Sequence, residues 1–185
     1  MTETLLPGDV PVSLDEARGW LRMGATIDDA VVAGLMRAAT NICEAFVGQW
    51  LMVRAAEETL PIGAGTVRLG VRPVVGVDAV VLLADAMTSG GGEAVLAADD
   101  YRVMIARDGS ARLTINHPGV ARQIRVAYRA GMADDVNRIP EAIRQGIVRM
   151  TQHLYDARDK ADAAPPAVIA ALWQPWRRLS LGGGR

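Results

Sequence analysis

Ser13-Leu14-Asp15-Glu16 places a polar start in front of an apolar stripe at Leu14, Ala17, Trp20 and Leu21. That spacing of three and four residues is helical. The Ser13 hydroxyl suits the amide three residues on, while Glu16 can reach back to the Ser13 amide, which is a capping box. Gly24 ends the run, so a helix is expected over 13–24. A longer one is expected over 28–48, where Asp28 and Asp29 favour the positive end of the helix dipole. Its stripe is Val32, Leu35, Met36, Ala39, Ile42, Cys43, Phe46 and Val47, closed by Gly48.

From Leu51 the period changes, and the segment 51–130 reads as an inserted antiparallel sheet or set of hairpins. Short β-branched or alternating runs at Val67 and Leu69, 77–83, 101–105, 111–115 and 124–128 are separated by turn residues. Asp108-Gly109 marks a hairpin, because glycine tolerates the positive φ of a tight turn. The stretch 87–93, with Gly90-Gly91-Gly92 inside it, has no side chains able to pack and reads as a loop. Ile139-Pro140-Glu141 then opens a third helix over 140–158, with Pro140 in the first turn where its missing amide is no loss. Ile143, Ile147, Met150, Leu154 and Tyr155 form its inner face. Beyond Pro165-Pro166, Val168, Ile169, Leu172 and Trp173 make a short helical turn that closes at Pro175, and 179–185 trails off through three glycines. Such a tail stays disordered unless a partner holds it. The fold class is therefore α+β: a small helical bundle with a β insert and an extended C-terminal tail, as one domain over 1–172 with a docking tail over 173–185.

Composition narrows the chemistry. The chain has 185 residues, half of them apolar, and a net charge of −1. With two histidines and one cysteine, any nucleophile, base or metal site is thinly supplied. Cys43 lies in an apolar stripe and reads as a buried inert thiol. His117 and His153 fall in no triad order and no HExxH pattern. Asp99-Asp100 and Asp134-Asp135 are adjacent carboxylates near turns, where Asp is common anyway. The glycine run lacks the Gly-Lys-Ser/Thr of a phosphate loop, since the sole lysine is Lys160. No enzyme, cofactor or metal is expected. The first twelve residues hold Glu3 and Asp9 and no basic residue, unlike a signal peptide, and the apolar runs are shorter than the roughly 20 residues of a membrane span, so no membrane partner is expected.

Charge is uneven along the chain. Residues 1–30 carry Glu3, Asp9, Asp15, Glu16, Asp28 and Asp29 against Arg18 and Arg22, whereas 158–185 carry Arg158, Lys160, Arg177, Arg178 and Arg185 against Asp159 and Asp162. Opposite ends suit a head-to-tail contact between copies, and equally a merely solvated surface. Nineteen of the twenty basic residues are arginine, which fits phosphate recognition or a genome of high GC content. Arg102, Arg107, Arg112, Arg122, Arg125 and Arg129 cluster in the strand region; Arg122, Arg125 and Arg129 are the candidates to face DNA. The densest feature is Trp173-Gln174-Pro175-Trp176-Arg177-Arg178. Trp and Arg are the side chains most enriched at binding hot spots, so this segment either docks on a partner or folds back to cap the core.

The order of these parts resembles the head-tail connector (adaptor, or head-completion) proteins of long-tailed bacteriophages, a family with members in prophages and gene transfer agents. The resemblance rests on Val12-Ser13-Leu14-Asp15-Glu16-Ala17, Val126-Ala127-Tyr128-Arg129-Ala130-Gly131, Ile139-Pro140-Glu141-Ala142-Ile143, Leu154-Tyr155-Asp156-Ala157-Arg158 and Leu172-Trp173-Gln174-Pro175-Trp176-Arg177, in this order. It implies a non-enzymatic virion component at the head-tail junction, assembled in the bacterial cytoplasm. About a dozen copies would form a ring below the portal protein, extend the DNA channel and offer a platform to a stopper or tail-completion protein. DNA would pass without sequence-specific contact. The resemblance assigns Trp173, Pro175, Trp176, Arg177 and Arg178 to portal docking. A DNA-binding accessory protein using the arginine-bearing strands is the alternative.

Overall fold

The computed structural model describes residues 10–21, 29–83, 92–156 and 164–178. Among the described residues, four α-helices, α1 (Leu14–Leu21), α2 (Asp29–Val47), α3 (Glu141–Asp156) and α4 (Ala167–Trp173), flank seven strands in the chain order, which is an α+β arrangement. The strands are β1 (Arg54–Pro61), β2 (Thr66–Arg68), β3 (Val74–Leu83), β4 (Glu93–Val95), β5 (Tyr101–Ile105), β6 (Ala111–Ile115) and β7 (Gln123–Ala130). The sequence alone suggests one domain with a tail; the contacts divide the chain into two compact units, Met1–Met52 with Ala133–Arg185, and Val53–Met132. The β insert expected over 51–130 thus has nearly the bounds of the second unit. The glycines at 90–91 and the tail at 179–185 lie outside the described residues.

In the helical unit, α1 begins as its sequence dictates, with the Glu16 amide donating to Ser13 Oγ at 3.1 Å. The Glu16 carboxylate, expected to reach back to the Ser13 amide, instead takes the Arg144 guanidinium on α3, 2.7 Å away, and so ties two helices together. α2 is 19 residues long and apolar enough to cross a membrane by length and composition, longer in that sense than its apolar runs suggest. Here it is a core helix: Val32, Met36, Ala39, Cys43 and Val47 are buried, together with Ile143, Ile147 and Met150 of α3. Gly48, at φ 71°, ends α2 in a backbone conformation that favours glycine, its amide reaching the Glu44 carbonyl at 2.8 Å. Glu44 is itself only 7% exposed, and its carboxylate accepts the Leu51 amide at 2.8 Å, turning the chain out of the helix.

The β unit holds two antiparallel sheets, a four-stranded one in the order β1-β7-β3-β4 and a three-stranded one in the order β2-β6-β5. β7 alternates strictly, burying Ile124, Val126, Tyr128 and Ala130, and β6 buries Ala111, Leu113 and Ile115. The Asp108-Gly109 hairpin joins β5 to β6, with Gly109 at φ 76° and its Cα against Pro73, where a Cβ would lie 2.3 Å from the proline Cβ. Asp108 accepts from the Ser110 hydroxyl at 2.7 Å and the Ser110 amide at 3.0 Å, and these bonds hold its carboxyl below the usual range.

A polar cluster fixes the loop between β2 and β3. Tyr128, 1% exposed, donates to Glu58 Oε1 at 2.6 Å and accepts the Val71 amide at 3.2 Å, while Glu58 Oε2 accepts the Gly70 amide at 3.0 Å. Removing the hydroxyl leaves a half-buried carboxylate oxygen and an amide without this partner. Tyr128→Phe is therefore expected to destabilise the protein by about 1–3 kcal/mol, read as a lower urea midpoint; an unchanged midpoint would show that water replaces the hydroxyl.

Candidate docking segment

The C-terminal segment is built on one buried anchor. Ile169 and Trp173, four residues apart on α4, are both buried, and Trp173 is fully enclosed. Its indole N–H donates to the Ile143 carbonyl at 3.3 Å, and its ring lies 5.8 Å from that of Phe46. The indole rests on Gly146 of α3, where a Cβ would stand 2.1 Å from Nε1. Of the two expectations for Trp173, docking and capping the core, the structure places it in the core of the helical unit. The helical spacing of Ile169 and Trp173 carried that signal.

Past Trp173 the chain makes a 3-10 turn, Gln174–Trp176, with Pro175 in its first positions. It is then pinned to the end of α2: the Trp176 carbonyl accepts from Gln49 Nε2 at 2.9 Å, and the Arg178 amide reaches the Val47 carbonyl at 2.7 Å. That carbonyl is one of those a helix end leaves without an intrahelical partner. The Arg177 guanidinium sits 5.2 Å over the Phe46 ring. Gln174, Pro175, Arg177 and Arg178 are exposed and Trp176 is half-buried. On α4 itself, Val168 is 63% exposed. The result is a fixed, largely exposed strip of one proline, half an indole and two guanidiniums.

The arginines expected to face DNA are placed differently. Arg125 and Arg129 lie two turns of the pleat apart on the outer face of β7, and each meets a carboxylate: Arg125 pairs with Glu93, and Arg129 Nε is 3.1 Å from Asp78. Arg122 stands just before the strand, exposed, with its carbonyl accepting the Ile62 amide at 2.8 Å. Two of the three charges are thus already neutralised locally.

Three of the paired carboxylates have structural occupations. Asp100 accepts the Ala97 amide at 3.0 Å, Asp135 accepts the Asn137 amide at 2.8 Å, and Asp134 pairs with Arg138 at 3.1 Å. His117 is exposed and His153 half-buried. Among the described residues no three His, Cys, Asp or Glu side chains gather to hold a metal. A cavity of about 620 Å³ in the helical unit is lined by Val12, Ser13, Glu16, Met36, Arg37 and Arg144 among others, with Ser13 engaged in its cap and Glu16 paired to Arg144. Burial, with a smaller contribution from Glu44, pushes the Cys43 thiol far above its ordinary value. Cys43 is expected to resist a thiol-directed alkylating reagent in the native protein and to react once urea unfolds it; rapid native labelling would contradict that burial.

No family model and no curated protein matches the sequence significantly. Solved structures do. A chain in the neck of an empty GTA particle computed with C6 symmetry aligns with a TM-score of 0.74 at 23% identity, covering 100% of this chain and 98% of that one. A chain in the virion of a native gene transfer agent particle aligns at 0.75 and 22% identity, covering 99% and 97%. A chain in the neck of a native GTA particle computed with C12 symmetry aligns at 0.73 and 22%, covering 100% and 97%. From end to end, the chain has the fold of neck and virion chains of gene transfer agent particles.

Proposed function

We propose that this protein is a structural adaptor of a phage-like particle, a ring subunit at the head-tail junction with no enzymatic activity of its own. The observation that carries the reading is the end-to-end likeness to neck chains, one of them in an assembly of C12 symmetry. A ring of about twelve copies sits below the portal protein, extends the channel through which DNA passes without sequence-specific contact, and presents a surface to a stopper or tail-completion protein. Pro175, Trp176, Arg177 and Arg178 dock on the portal, with Trp173 as the buried anchor that holds them in place. The acidic first thirty residues and the basic stretch 158–185 suit a head-to-tail contact that closes into a ring.

The alternative, a DNA-binding accessory protein working through Arg122, Arg125 and Arg129, has weaker support, because Arg125 and Arg129 already meet Glu93 and Asp78. The two readings separate in the cell. Deleting the gene is expected to leave filled heads and free tails that do not join, restored by the gene in trans. Complete particles without the protein would overturn the adaptor reading.

A further inference from the structure

A second cationic surface lies on the three-stranded sheet. On its outer face, the register aligns Thr66 with Thr114 and Thr114 with Arg102 in one row, and Arg68 with Arg112 and Arg112 with Met104 in the next. All six side chains are exposed, while the alternating Val67, Leu113 and Ala111 point the other way and are buried. Among the described residues no carboxylate pairs with Arg68, Arg102 or Arg112. Arg68 stands directly across from Arg112. Like charges in that relation are destabilising, so folding alone does not favour the arrangement, whereas an anion laid across both guanidiniums would reverse its sign.

We infer that this face binds the phosphate backbone of duplex DNA without reading its sequence. Arginine and threonine donors are what phosphate contacts use. The face lacks the apolar, aromatic centre that protein interfaces build on, Met104 being its one apolar member. It also lacks stacking aromatics or amide side chains for base recognition. Arg102 and Arg112 belong to the arginine cluster visible in the sequence; Arg68 joins them only through the pairing of β2 with β6. The assignment goes beyond the adaptor reading and stands without it, since the full-length chain carries the face whether or not it forms a ring.

The test is fluorescence anisotropy of a short labelled duplex titrated with the full chain at several salt concentrations. Three neutralised phosphates give a log–log slope of about −2.7, an affinity loss of about 40-fold between 50 and 200 mM salt. R68A/R102A/R112A is expected to weaken binding at least tenfold at low salt and to flatten the slope, without lowering the melting temperature. R68K/R102K/R112K keeps the slope, and R125A/R129A changes it little. Absent binding by the unmodified chain, or an unchanged slope in the alanine variant, overturns the inference. Competition by poly-glutamate as effective per charge as the duplex would assign the face to an acidic protein instead and overturn it equally.

Discussion

Trp173→Ala is expected to lower stability by about 3–5 kcal/mol, the range for emptying a large aromatic site in a packed core. Trp173 is fully buried, holds the Ile143 carbonyl and contacts Phe46, so the substitution strips α4 of its main attachment. Urea unfolding followed by circular dichroism reads the loss as a lower midpoint. Gly146→Ala approaches the same contact from the other side: its new Cβ would stand 2.1 Å from the indole Nε1, so the ring must move out of its seat. That overpacking costs about 1–3 kcal/mol. In a Trp173→Ala background the same change meets no indole and is expected to cost little, a non-additivity that identifies direct contact. Additive losses, or a Trp173→Ala loss under about 1 kcal/mol, would contradict the seat described for this side chain.

The second large effect falls on docking rather than folding. Trp176→Ala with Arg177→Ala removes the half-buried indole and one exposed guanidinium of the strip while leaving Trp173 in place. If the strip docks on the portal, truncating two hot-spot residues is expected to weaken portal binding at least about 30-fold. Stability falls by only about 1–2 kcal/mol, because the cation–π contact with Phe46 is exposed and weak. Binding is measured where both proteins are fully folded, so the two effects separate. Unchanged affinity in a folded double variant would remove the strip from the portal interface.

Local chemistry made the helices legible. Ser13, the dipole-favouring Asp29, Gly48 and the apolar periods placed α1, α2 and α3 within a few residues, and Asp108-Gly109 placed the β5–β6 hairpin. β1 was not legible: Arg54–Pro61 reads Arg-Ala-Ala-Glu-Glu-Thr-Leu-Pro, residues with little intrinsic preference for strands. Its strand character comes from eight consecutive partners on β7, a long-range fact no local pattern contains. β4 likewise owes its place to pairing with the end of β3, although Glu93 reads as part of a loop.

At the candidate sites, residue type was readable and environment was not. Both tryptophans stood out together, yet Trp173 is core and Trp176 half-exposed, a distinction set by the helical phase from Ile169 and by Gly146, which lies 27 positions upstream of the indole it seats. The arginines of the strands stood out as a group. Which of them meet carboxylates depends on β7 lying beside β3, which brings Asp78 to Arg129, and on β4, which brings Glu93 to Arg125.

The central claim is most directly tested by native mass spectrometry of the protein, alone and mixed with its cognate portal ring. The adaptor account predicts a complex with about one copy of this chain per portal subunit. A chain that remains monomeric and leaves the portal ring at its own mass would contradict it.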